Sequence, residues 1–561
     1  MQGVGHAQTR YAAADDGNPS WHLYSLILVD FSLAVGAAIP SEPLLAVENE
    51  CGIQEGNRVS YAAPAPSPFV HLGAPAMTEI AFLSATELAA KIRSKEIGCE
   101  ALLRHYLDRV DRYNGELNAL VVDLREQALA DARAADQAVA RGDELGPLHG
   151  VPMTVKESYN VAGTPTTWGN VDWKDNIAAE DAEPVRRLKA AGAVVFGKTN
   201  VPLMLADFQS YNDIYGTTNN PYDLKRIPGG SSGGSAAALA AGLTGIETGS
   251  DIGGSIRNPA HFCGVFGHKP TWNLLWMRGH APPGDVRSKP DISVIGPLAR
   301  SAADLETALL TMAGPDDIMA RGYRLDLPTL NGRALKDLKV AVWVDDGMAP
   351  VDAEVRRRVE QVAAAFRDGG AAVNMEARPG FDPAHSHATY QNLLQATMAA
   401  RMPDAEYHKI KRHVATLAAD DDSAAARIFR AQVASFKMWK QNDEQRAHLR
   451  WKWHEFFNDY DLLIAPIMAT AAMPHDQRPF GERTVTVNNE QRPYFEQVFW
   501  AGLTGGSYLP ATVIPTGLNA DGLPIGVQIA GPEYGDLITI GAAKLMEANG
   551  FAFTPPAAYV G

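Results

Sequence analysis

Apolar residues along this chain follow two rhythms: one every third or fourth position, the other in short unbroken runs. Ser84-Ala-Thr-Glu87 is a capping box, and Leu88 and Ile92 follow on one face, which predicts a helix. Leu102, Tyr106, Val110 and Tyr113 share one face of a second helix. An alanine-rich stretch over about 122–140 predicts a third helix, turned to the surface. The apolar run 151–155, ending at Lys156, reads as a strand. A helix over 185–191 then leads into a second strand, 193–196. This alternation predicts an α/β sheet with helices on its faces.

The pattern resumes beyond residue 300. Ser301 and Asp304 cap a helix that runs through Met312. A strand over 339–344, a helix carrying Val355, Val359, Val362 and Phe366, and a strand over 371–375 form one unit, with Gly369-Gly370 closing its helix. A helical region over about 423–458 places Phe429, Val433 and Phe436 on one face and is expected to break within its span. Residues 462–466 read as a strand. The runs 511–515 and 525–530, joined through Asp521-Gly522, read as a strand pair, and a helix over about 536–549 follows. No internal repeat is visible. The parts make one large α/β domain over 77–561, with 377–458 as a mostly helical elaboration within it.

Residues 1–76 show no sustained periodicity and read as a poorly ordered extension, with 61–69 (YAAPAPSPF) an extended linker. The apolar run 26–38 has the flavour of an export signal. Asp30 interrupts it, and the long preceding segment carries Asp15 and Asp16, so an extension or upstream sequence, with Met77 as the start, is the expected reading.

Composition narrows the class. A net charge of −15 argues against a general nucleic-acid binder, which needs a basic surface. No run reaches the roughly 18 apolar residues of a membrane span. Cys51, Cys99 and Cys263 are too few and too scattered for a disulfide framework or a CxxC metal site, so a reducing, cytoplasmic setting is expected.

Two motifs lead nowhere. Gly192 to Thr199 fits the phosphate-loop pattern, but its interior, Ala-Val-Val-Phe, is what a buried strand wants. His385 and His387 lack neighbouring ligand types, so no metal is expected. The informative stretch is 229–259, which holds two glycine–serine clusters. Gly253-Gly254 before Ser255 lets successive N–H groups turn toward one point, as an oxyanion hole beside a nucleophile requires. Ser231 sits in the earlier cluster, GGSSGG, and Lys156 closes the 151–155 strand. A lysine desolvated there would lose its proton readily and act as a base, with a hydroxyl such as Ser231 relaying the proton to Ser255. Taken singly, each piece has an ordinary explanation: a surface lysine, a linker, a turn.

Together the pieces resemble the amidase signature family, serine amidohydrolases with a Ser-Ser-Lys triad. The resemblance covers about residues 80–555. It rests on GGSSGGSAAA at 229–238, GSDIGGSIRNPA at 249–260 and GVPMTVKES at 150–158, with support from GHKPT at 267–271, IGPLARSAADLE at 295–306 and GLPIGVQIAGP at 522–532. It implies a single α/β domain, the amidase signature fold, around a mixed twisted sheet of about eleven strands covered by helices. It implies hydrolysis of a carboxylic amide to carboxylate plus ammonia or amine, without a cofactor. Ser255 is then the nucleophile, Ser231 the relay after a cis Gly230–Ser231 peptide bond, and Lys156 the base. The N–H groups of Ile252, Gly253, Gly254 and Ser255 form the oxyanion hole, while Gly230, Ser232, Asp251 and Arg257 support the loops.

This chain departs from the family pattern in carrying Glu157 where aspartate is common, and Ser250 where threonine is common. The run Trp272-Asn-Leu-Leu-Trp-Met277 replaces a polar turn and is either core packing or a wall of an apolar substrate tunnel. Further pocket walls are expected around 203–211 and 377–458. The expected partner is a small-molecule amide with an apolar or aromatic part, with no nucleic acid and no membrane; a homodimer stays open. Alternatives with the same signature are the glutaminase subunit of a tRNA-dependent amidotransferase and a hydrolase of anilides, esters or carbamates. An inactive amidase-fold binding protein is a remote third.

Overall fold

The computed structural model describes residues 79–560. The extension over 1–76, its 26–38 and 61–69 segments and Cys51 lie outside the described residues. Helices α1 (Ala85–Arg93) and α2 (Cys99–Leu117) bury the faces their spacing predicts: Leu88 and Ile92 in one, Leu102, Tyr106, Val110 and Tyr113 in the other. The capping box of α1 is formed in both directions, with the Ser84 side chain accepting from the Glu87 N–H and the Glu87 carboxylate accepting from the Ser84 N–H. The expected third helix begins later than its alanine content implied. Residues 120–123 form strand β1 (Leu120–Asp123), and α3 (Arg125–Arg141) follows, burying only Ala128 and Ala132. Next come β2 (Pro152–Lys156), α4 (Glu183–Ala190) and β3 (Val194–Thr199).

The phosphate-loop look-alike is therefore a strand. Lys198 lies buried in β3 and donates to the Thr166 hydroxyl at 2.9 Å and to the Pro165 carbonyl.

The middle of the chain supplies α5 (Gly233–Ala240), β4 (Glu247–Asp251), α6 (Arg257–Cys263), β5 (Phe266–Lys269), β6 (Val294–Ala299) and α7 (Ala302–Met312). The strand–helix–strand unit is β7 (Lys339–Val342), α8 (Ala353–Asp368) and β8 (Ala372–Asn374), its two strands parallel. Four helices then follow: α9 (Pro383–Ala399), α10 (Asp404–Val414), α11 (Ala424–Gln432) and α12 (Phe436–Asp459). The expected break separates α11 from α12. Because the chain turns there, Phe436 does not share the buried face of Phe429; it is 79% exposed. Strand β9 (Leu462–Ala465), α13 (Val498–Gly505), the antiparallel pair β10 (Ala511–Leu518) and β11 (Pro524–Ala530), and α14 (Asp536–Ala548) complete the order.

Eight strands form one mixed sheet in the order β8-β7-β9-β11-β10-β5-β6-β4, and β1-β3-β2 form a second. The sheets meet where β2 lies beside the edge strand β4. Thr154 of β2 donates its hydroxyl to Glu247 of β4 at 2.7 Å, and the Gly245 N–H donates to the Pro152 carbonyl at 3.0 Å. The largest apolar cluster runs from α1 and α2 across β2 and β3 to α7, α8 and α14. Among the described residues, no helix is long and apolar enough to cross a membrane.

Asp304 of α7 fastens the first helix to this frame. Its buried carboxylate accepts the N–H groups of Ala85 and Thr86, each at 2.8 Å, and the Thr86 hydroxyl at 2.9 Å. Asp304→Ala leaves those donors inside the protein unpaired and should cost about 2–3 kcal/mol, read as a lowered midpoint in urea unfolding with an unchanged slope.

Candidate active site

The site begins with a strand that has no wet face. Every residue of β2 is buried, and Lys156 at its end has no exposed surface. Its Nζ lies 2.7 Å from Ser231 Oγ, 3.0 Å from Ser232 Oγ and 2.9 Å from Ser250 Oγ. Burial drives the Lys156 pKa far below the ordinary lysine value, and the charges of Asp251 and Glu247 pull only partly the other way. A neutral amine donates two hydrogen bonds and accepts one. The Ser232 hydroxyl faces the Ser250 carbonyl at 3.5 Å and accepts the Ser250 N–H at 3.3 Å. Lys156 can therefore donate to Ser232 and Ser250 and accept from Ser231.

The loop that carries Ser231 is shaped by close backbone approach. The Gly230–Ser231 peptide bond is cis. A Cβ on Gly230 would stand 2.4 Å from the Asp207 carbonyl oxygen and 2.8 Å from the Gln209 nitrogen, so only glycine fits. Asn258 holds the same residue from the far side. Its Oδ1 accepts the Gly230 N–H at 3.0 Å, and its Nδ2 donates to the Gly230 carbonyl at 2.6 Å. The Ser232 N–H donates to the Ser255 carbonyl at 3.2 Å, which ties this loop to the next.

That next loop leaves β4 at Asp251 and turns into α6. Asp251 and Arg257, both buried, form an ion pair at 2.9 Å. Burial alone would raise the Asp251 pKa, but the Arg257 guanidinium and then Lys269 outweigh it and hold the carboxyl at about 2. Arg257 also donates to Thr504 Oγ1 at 2.8 Å, Gln528 Oε1 at 3.0 Å and the Ala501 carbonyl at 3.1 Å, anchoring the loop to α13 and β11. Gly254 takes a φ of +106° and donates its N–H to Asp251 Oδ1 at 2.8 Å. Of the four N–H groups expected at an oxyanion hole, that of Gly254 is thus engaged by the supporting carboxylate.

Ser231, Ser250, Ile252 and Ser255 reach the wall of one cavity of about 410 Å³. The apolar run 272–277 divides between the two roles anticipated for it. Leu274 and Leu275 are buried in the main core, whereas Trp276 and Met277 line the cavity. Trp272 stacks on Tyr508 with ring centres 4.6 Å apart. Met204 and Leu205 come from the expected 203–211 segment, and Thr397 and Met398 from the helical elaboration. Glu157 uses its length to hold another wall. It accepts the N–H groups of Thr167 and Trp168 at 2.6 and 2.9 Å, which sets the Trp168 ring beside the cavity.

Sequence reasoning passed over Asn258, which sits inside a quoted motif but shows its purpose only through contacts with Gly230, 28 residues away. It treated Ser250 as a mild departure, whereas the hydroxyl is a direct partner of Lys156. Among the described residues, no group of three His, Cys, Asp or Glu side chains is placed to hold a metal ion.

The family model described as Amidase matches residues 101–539. An acylamidase of Rhodococcus erythropolis is 33% identical over 84% of this chain and 97% of its own length. An indoleacetamide hydrolase of Bradyrhizobium diazoefficiens is 35% identical over 83% of this chain and 86% of its own length. A solved bacterial aryl acylamidase of the amidase signature enzymes shares the fold, with a TM-score of 0.71 at 24% identity, covering 85% of this chain and 98% of that one.

Crowding at Gly230 makes the loop testable. Gly230→Ala should push Ser231 away from Lys156 and lower kcat for amide hydrolysis about 100-fold, the scale of a 1 Å misplacement, with a near-normal circular dichroism spectrum.

Proposed function

The chain belongs to the amidase signature family and is an amide hydrolase, and from that premise we propose that Ser255, Ser231 and Lys156 carry its reaction. The observation that supports these roles most strongly is the buried Lys156 amine, which among the described residues contacts three hydroxyls and no carboxylate. Neutral Lys156 takes the Ser231 proton as Ser231 takes that of Ser255. Ser255 Oγ bonds to the amide carbon, and the carbonyl electrons move onto its oxygen. The N–H groups of Ile252, Gly253 and Ser255 are the donors for that oxyanion, while Gly254 braces the loop through Asp251. Collapse of the intermediate breaks the C–N bond, and the leaving amine recovers the proton along the same relay. Water, deprotonated by the relay, then releases the carboxylate from Ser255.

The substrate we propose is a linear amide with an apolar or aromatic part, seated among Trp168, Trp173, Met204, Leu205, Trp276 and Met277. The acylamidase and indoleacetamide hydrolase among the relatives fit this reading.

Ser255→Ala should abolish turnover of aryl and alkyl amides and, at the same time, labelling by a fluorophosphonate; retained turnover would remove Ser255 as the nucleophile. The active form carries a neutral Lys156, so kcat/KM should rise with pH through the lysine's depressed pKa and reach its plateau well below the ordinary lysine range. An acid limb centred near pH 10 would contradict this.

A further inference from the structure

One of the proposed oxyanion donors belongs to a peptide unit, Ile252–Gly253, in the loop between β4 and α6. A peptide that enters a glycine turns over at little conformational cost. The turn changes the ψ of Ile252 and the φ of Gly253, and glycine takes φ of either sign. Which way this unit faces decides what a substrate carbonyl meets. In one orientation it meets the Gly253 N–H. In the other it meets the Ile252 carbonyl oxygen, which repels a developing oxyanion.

A residue outside the cavity wall fixes the orientation. Tyr390 stands on α9 and is 1% exposed. Its hydroxyl donates to the Ile252 carbonyl at 3.0 Å, and among the described residues that oxygen has no other hydrogen-bond donor. The Ile252–Gly253 bond is trans and planar, so its C=O and N–H leave on opposite sides. With the carbonyl turned back toward the buried tyrosine, the N–H is turned away from it. A Cβ on Gly253 would meet Tyr390 Oη at 3.4 Å and Val498 Cγ2 at 3.5 Å, so α9 and α13 back one side of the glycine. Gly253 is nevertheless only half-buried, and Ile252 and Ser255 in the same loop reach the cavity. Its N–H pairs with nothing among the described residues, as a donor kept for a ligand requires.

The tyrosine is itself held. A Cβ on Gly502 would stand 2.3 Å from its ring Cδ1, and one on Gly506 would stand 3.2 Å from Cδ2, so these two glycines form the slot that seats the ring. Burial, and then the Asp251 carboxylate, push the phenol pKa well up against the weaker pull of Arg257, so the hydroxyl keeps its proton and donates. Turning the peptide over would strand that proton in the interior.

We propose that Tyr390 is a positioning residue whose hydroxyl holds the Ile252–Gly253 peptide with the Gly253 N–H toward the oxyanion formed when Ser255 attacks. The inference rests on the proposed reaction at Ser255 and extends it, since it assigns the geometry of the donor side to a residue of the helical elaboration.

Tyr390→Phe keeps the ring in its slot and removes only the hydroxyl. With an aryl amide such as phenylacetanilide, kcat/KM should fall about 30-fold, short of the roughly 100–1000-fold cost of losing an oxyanion donor outright. Calorimetric binding of the same amide to the Ser255→Ala protein should change less than about twofold when Tyr390→Phe is added, because the ground state makes little use of the hole. A trifluoromethyl ketone isostere, which Ser255 converts to a tetrahedral oxyanion, should lose affinity by the same factor as kcat/KM. A merely structural role would weaken amide binding and turnover together. Unchanged kcat/KM in Tyr390→Phe, a ketone affinity that holds while turnover falls, or an equal loss of amide binding overturns the inference and leaves Ser255 as the nucleophile. Turnover retained by Ser255→Ala overturns the reaction and this inference together, and is read in a different variant.

Discussion

An amine removed from water loses the hydration that favours its charged form, and Lys156 is held in that condition by the strand beneath it and the serine loops above it. The danger to such an amine is a nearby carboxylate, which would recharge it as an ion pair. Two carboxylates are near, and both are otherwise engaged. Asp251 is matched to Arg257. Glu247 accepts from the Thr154 and Thr199 hydroxyls and the Thr248 N–H at 2.7–3.0 Å, and burial raises its pKa to about 7. The fold keeps these acids from becoming counter-ions, and among the described residues the lysine's hydrogen-bond partners are hydroxyls.

That arrangement explains why the site lies at a seam. The two sheets approach each other at β2 and β4, where side chains carry much of the connection. Lys156 ends one strand, Ser250 and Asp251 end the other, and the Ser231 loop fills the gap above them. A continuous ladder at this place would turn these side chains to alternating faces. The seam lets residues from both edges converge on one nitrogen.

Much of this was legible in the chain because the deciding features are local. Capping residues set the starts of α1 and α7, apolar runs set β2 and β3, and paired glycines flagged the two loops. What escaped depends on contacts distant in sequence. Phe436 matches Phe429 in helical spacing, but a break two residues before α12 turns it to solvent. The run 272–277 is apolar at every position but Asn273, yet only geometry could assign Leu275 to the core and Trp276 to the cavity. The Gly254 N–H looks equivalent to its neighbours until Asp251 is found 2.8 Å away. Asn258 carries no pattern at all, since it is defined by what stands opposite it.

The cavity walls and the proposed proton relay occupy different addresses in the chain. The relay draws on 156, 231–232 and 250–255, whereas much of the wall comes from 204–206, 276–290 and 397–403. Substitutions that reshape the wall need not pass through the glycines and buried charges that hold the relay. Descendants of such a chain can trade one amide for another by point changes or loop exchange while the proposed relay is inherited intact.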